Sequence, residues 1–79
     1  MARISIDNGR TFYNADELDE LFSSAAEAGV SYGGLWCEIV NRMDDTIREE
    51  VHGEIDPDHG EADFLRMYLE RATDDLIIG

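Results

Sequence analysis

At 79 residues the chain has room for one domain, spanning 1–79, and its 43% hydrophobic content is that of a folded protein rather than a disordered tail. Nineteen acidic and six basic residues give a net charge of −13, which excludes ordinary nucleic-acid binding because that needs a basic footprint. One cysteine and the lack of a long apolar run predict a cytosolic protein with neither a disulfide framework nor a membrane span.

The first predicted element is a β-hairpin. Residues 3–6 alternate and are rich in β-branched side chains, as in a strand. The sequence Asp7-Asn8-Gly9 follows, and Asn-Gly is a strong hairpin signal because both residues tolerate positive φ. Residues 10–13 are then predicted as the return strand.

A first helix is predicted to open at Asn14, with Glu17 completing a capping box. Its apolar face and an acidic line on the opposite face follow from the helical rotation per residue. The apolar face comprises Leu18, Leu21, Phe22 and Ala25, and the acidic line comprises Asp16, Glu20 and Glu27. Gly29 is the predicted stop.

Three further helical segments and a terminal strand are predicted. The second helix is capped by Ser31, the short third follows Asp44 and ends near Gly53, and the fourth spans about 61–72. Pro57 and Gly60 break the intervening loop, and residues 76–78 form an apolar strand beside the hairpin. The predicted fold class is α+β, of order ββαααβ, with an antiparallel sheet of about three strands and helices on one face.

The acids are distributed unevenly along the chain. Residues 14–30 carry five acids and no base, and residues 44–63 carry nine acids against Arg48. A surface that serves only solubility would intersperse the two signs, although an acidic proteome would also give such a composition. The candidate partner-binding residues are Asp16, Glu17, Glu20, Glu27, Asp45, Glu49, Asp56 and Asp58.

No catalytic, cofactor or metal site is predicted. Residues 56–63 resemble a calcium loop, but Gly60 stands at the third ligand position and Met67 stands where the closing glutamate belongs. The spacing of His52, His59 and Cys37 matches no standard zinc site, and Cys37 is predicted to be a buried, inert thiol. The acids lie on faces predicted to be exposed rather than across a cleft, so the protein is not expected to be an enzyme.

Three segments carry a resemblance to a known group of proteins. They are the hairpin 7–12, the middle segment 43–49 and the ending 75–79. Together with the size and acidity, they resemble small phage and mobile-element inhibitors that imitate DNA, including anti-CRISPR proteins that act on type I surveillance complexes, with type I-C as the candidate subtype. The resemblance implies binding to the DNA-recognition subunit of such a complex and supplies no catalytic residues.

The leading hypothesis is therefore a monomeric inhibitor that occupies a basic nucleic-acid site on a host defence protein. One alternative is an acidic antitoxin or adaptor bound to a basic protein, whose sequence would look much the same. A structural or accessory protein without a charged partner is a third possibility, and binding that survives molar salt would favour it because apolar contacts are not screened.

Overall fold

The computed structural model describes the whole chain, Met1–Gly79, and shows a mainly helical protein. The elements in chain order are β1 (Ile4–Ser5), a 3₁₀ turn (Ala15–Glu17), α1 (Leu18–Glu27), α2 (Tyr32–Arg42), α3 (Asp45–Glu54), α4 (Glu61–Arg71) and β2 (Leu76–Ile77). All four predicted helical segments are present. The first begins with the 3₁₀ turn, and it ends before Gly29, whose φ of 76° is the left-handed conformation typical of a helix stop.

The predicted antiparallel sheet is wrong, and so is the order ββαααβ, which has one strand too many and one helix fewer than the four helical segments that were predicted. The sheet has two strands, β1 and β2, and they are parallel, with Ile4 opposite Leu76 and Ser5 opposite Ile77. The backbone N–H of Leu76 donates to the carbonyl of Arg3 at 2.9 Å. Parallel strands need a long crossover between them, and the four helices provide it. The terminal strand was predicted beside the hairpin in an antiparallel sheet, whereas it runs parallel to β1.

The return strand of the hairpin is reduced to a single antiparallel bridge between Ile4 and Tyr13. Asn8 and Gly9 do adopt positive φ, at 61° and 88°. The Asp7 carboxylate, however, accepts backbone N–H groups from two later residues of the turn, at 3.1 and 2.8 Å, and the Ser5 hydroxyl at 2.8 Å. These bonds lower the pKa of Asp7, and they hold the segment as a loop because they replace ladder hydrogen bonds.

Helix α4 lies at the centre of the packing and contacts both α3 and the 3₁₀ turn. Four of its side chains are buried, namely Phe64, Leu65, Tyr68 and Leu69. The backbone N–H of Asp44 donates to the Tyr68 hydroxyl at 2.7 Å, while the Asp44 carboxylate caps α3 by accepting from Thr46 and Ile47. The start of α3 is thereby fixed to the core.

Two burial predictions need correction. Phe22 was predicted to be buried, but it is only half-buried and packs against Tyr32, with ring centroids 5.5 Å apart. Cys37 was predicted to be buried and is exposed. Leu35 and Ile39 face the core, and Cys37 is two residues from each, which places it about 200° around the helix. None of the helices is long and apolar enough to cross a lipid bilayer.

Candidate functional site

Ion pairing compensates few of the acids. Four arginines form ion pairs, against nineteen acids in the chain. The pairs are Arg3–Asp75 at 3.3 Å, Arg48–Asp45 at 2.8 Å, Arg66–Asp63 at 3.2 Å and Arg71–Glu54. The hydrogen bond from Arg71 lowers the pKa of Glu54. None of these pairs involves an acid of the 3₁₀ turn or α1, so no arginine compensates the acids of the first segment.

The predicted acidic line of the first helix is exposed as expected. Asp16, Glu20 and Glu27 all face solvent. Acids near a helix N-terminus are favoured by the helix dipole, which accounts for Asp16 and Glu20. Glu27 is the last residue of α1, where the dipole disfavours an acid by about 0.3–1 kcal/mol, and no base occupies that last turn. Local helix stability therefore does not explain Glu27.

The exposed face of α1 forms a shallow acidic depression with a volume of about 410 Å³. Its lining residues are Tyr13, Asp19, Glu20, Ser23, Ser24 and Glu27. The Tyr13 hydroxyl and the Ser24 hydroxyl lie 3.1 Å apart and hydrogen-bond along one wall. Asp19 was not among the predicted site residues. Helical spacing could have identified Asp19, because Asp19, Ser23 and Glu27 are four residues apart and therefore lie on the same face of α1.

Glu17 is the only predicted site residue that is not fully exposed. Its carboxylate accepts the backbone N–H of Asn14 at 3.0 Å, as the capping-box prediction required. That bond satisfies one of the free N–H groups at the start of the helix. Glu17 therefore has a structural role that its neighbours on the acidic line lack.

The second acidic segment is divided between α3 and the loop 55–60. Asp45 is exposed but paired with Arg48, whereas Glu49 on α3 and Asp56 and Asp58 in the loop have no ion-pair partner. Helix α4 packs against both the 3₁₀ turn and α3, each of which carries acids of one segment.

A larger groove, with a volume of about 550 Å³, lies where α2, α3 and the start of α4 meet. Its floor includes Trp36 and Phe64, whose rings meet edge to face with centroids 6.3 Å apart. His52 packs on the Phe64 ring at 4.7 Å. Its other lining residues are Val40, Arg48, Ile55, Asp56, Pro57, His59, Gly60 and Glu61. The sequence analysis missed this groove because it forms only when three successive helices and the loop between α3 and α4 pack together.

The His, Cys, Asp and Glu side chains form no group of three or more arranged to hold a metal ion. His52 and His59 both line the groove, while Cys37 is a free thiol on the exposed face of α2. In comparisons with models of known protein families, with curated proteins and with solved structures, no significant match to this chain was found.

Proposed function

We propose that this protein is a non-enzymatic inhibitor that binds a basic nucleic-acid-binding site on another protein by presenting the acids of α1. The observation that carries the proposal is Glu27, an exposed acid without a basic partner at the helix end where an acid is destabilising. A residue that destabilises its own helix often serves a function, because real proteins depart from locally favourable residue choices mainly at functional sites. A basic partner surface would supply the missing counter-charge.

The strength of such an interface comes from several small contributions. Each exposed ion pair contributes about 0.2–1 kcal/mol, so no single carboxylate dominates the affinity. Complementary charge also accelerates association, and this acceleration falls as salt screens the charges. The proposal therefore predicts affinity that is additive over the α1 acids and steeply salt-dependent.

The size of the protein limits what it can imitate. Its longest dimension is 33 Å, close to one helical turn of duplex DNA, which is about 34 Å long. The protein is therefore proposed to occupy a basic channel over about one turn. The resemblance described above gives the candidate partner, the DNA-recognition subunit of a type I CRISPR surveillance complex in the cytosol of a host cell.

Affinity capture from host lysate at low salt, followed by elution with a salt step, identifies the partner. Two variants with equal charge change then test the surface: Asp16, Glu20 and Glu27 reversed to lysine, and Glu49, Glu50 and Asp58 reversed to lysine. All six residues are exposed and none takes part in an ion pair, so both variants are expected to fold.

The α1 variant is expected to lose most of its affinity, chiefly through slower association, and the second variant to lose less. The affinity of the wild type should fall steeply between about 0.05 and 0.5 M salt. Affinity that is unchanged over this range, or equal in the wild type and the α1 variant, contradicts the proposal. Simultaneous binding of nucleic acid and this protein to the partner would instead support an antitoxin- or adaptor-type module.

A further inference from the structure

We propose that the groove floored by Trp36 and Phe64 receives an arginine side chain of the basic partner. This inference rests on the proposed function and adds to it a specific anchor. The volume of this open groove, about 550 Å³, falls in the size range of small-ligand sites.

The aromatic floor of the groove suits a guanidinium group. Trp36 is half-buried and keeps part of its ring accessible, and Phe64 supports it edge to face at 6.3 Å. A planar guanidinium stacks on the face of an indole through cation–π attraction, and arginine does so more often than lysine. Because it is less strongly hydrated than an ammonium group, a guanidinium also enters such a partly apolar groove more readily.

The charges around the groove favour a cation. Asp56 and Glu61 both line it, and neither carboxylate takes part in an ion pair within the chain. Arg48 is the fixed positive charge of the lining, but it is already held by Asp45 at 2.8 Å and by the carbonyl of Val40 at 3.3 Å. Two carboxylates beside an aromatic floor provide both interactions that a guanidinium makes, stacking and charge-assisted hydrogen bonds.

Tyr32 lies between the groove and α1. Tyr32 lies one helical turn before Trp36, is half-exposed and packs against Phe22 of α1. Partial burial and the neighbouring Glu61 carboxylate, which also lines the groove, raise the pKa of Tyr32. Tyr32 thus joins the groove to the Phe22 side of α1, the face opposite its acidic line.

The first test needs no partner protein. Trp36 is the only tryptophan, so its fluorescence reports on the groove alone. N-acetyl-arginine amide is titrated against N-acetyl-lysine amide at equal ionic strength, with the wild type, with the double variant Asp56→Asn/Glu61→Gln and with the matched control Glu38→Gln/Glu70→Gln, whose residues are exposed and lie outside the groove. We expect a saturable change with the arginine probe that is weaker with lysine, lost in the groove variant and kept in the control.

An equal response to both probes, no saturable response to arginine, or a response that survives in the groove variant overturns the inference.

The second test measures affinity for the captured partner, where the groove variant should lose about tenfold or more and the control less than about threefold. Both variants change the net charge equally, and thermal melts confirm that each is folded. If the α1 lysine variant abolishes partner binding while the groove variant does not, the groove inference fails and the proposed function stands. If the arginine probe binds but partner binding is independent of salt, the proposed function fails and the groove inference stands.

Discussion

Replacing Glu27 by lysine is expected to stabilise the fold while weakening binding to a basic partner. Glu27 is the exposed last residue of α1, and no base lies in that turn. An acid there is disfavoured and a base favoured by about 0.3–1 kcal/mol each, so the reversal should raise the free energy of unfolding by about 0.6–2 kcal/mol. In a domain of this size, 1 kcal/mol shifts the Tm by about 4–8 °C.

The assay is thermal denaturation followed by circular dichroism at low salt and at about 0.5 M salt, where the dipole interaction is screened. Glu27→Gln should give about half the stabilisation. Glu20→Lys is the matched control, because it changes the net charge equally but lies in the first turn of α1, where a base is disfavoured. A Tm for Glu27→Lys at or below that of the wild type at low salt, or gains of equal size at both positions, would refute the dipole argument.

Four further predictions concern the fold. Phe64→Ala should cost about 3–5 kcal/mol, against a total stability of about 4–12 kcal/mol for 79 residues, and leave little cooperative unfolding in a denaturant titration. Phe22→Ala should cost roughly half as much because Phe22 is only half-buried, and an equal loss would contradict its observed position. Asp7→Asn should lower the Tm at pH 7. The hydrogen bonds to the Asp7 carboxylate hold its folded-state pKa below its ordinary value of 3.8, so the carboxylate stabilises the fold above that pH. This stabilisation is lost as the pH falls through the folded-state pKa. A difference from the wild type that persists in strong acid would contradict this role. Sodium chloride should raise the wild-type Tm up to about 0.5 M by screening self-repulsion, whereas a fall would show that the ion pairs dominate.

The helices were predictable from the sequence because their signals are local. Apolar spacing identified the inward faces, and the Asn14–Glu17 capping box and Gly29 marked the ends of the first helix correctly. The sheet was not predictable in the same way. The direction of β2 depends on the position of the C-terminal end of α4, which is set by tertiary packing. The Asn-Gly turn signal predicted a return strand, but hydrogen bonds to the Asp7 side chain hold that segment as a loop.

Of the two candidate surfaces, only the one formed by a single helix was predictable from the sequence. Exposure of the α1 acids followed from helical periodicity, because an exposed face is a property of one element. The groove required the packing of α2 against α3 and α4, so Trp36 appeared in the sequence only as one member of an apolar stripe. Its partial exposure reflects the edge position that it takes between those helices, which no single segment specifies.

Competition with nucleic acid is the most direct test of the account. The captured partner is immobilised, its affinity for target DNA is measured by titration, and the titration is repeated at several fixed concentrations of this protein at one salt concentration. The account predicts that the apparent Kd for DNA rises in proportion to the concentration of this protein, and that the Asp16/Glu20/Glu27 lysine variant shifts it far less. An apparent Kd for DNA that stays constant while this protein remains bound would contradict the account.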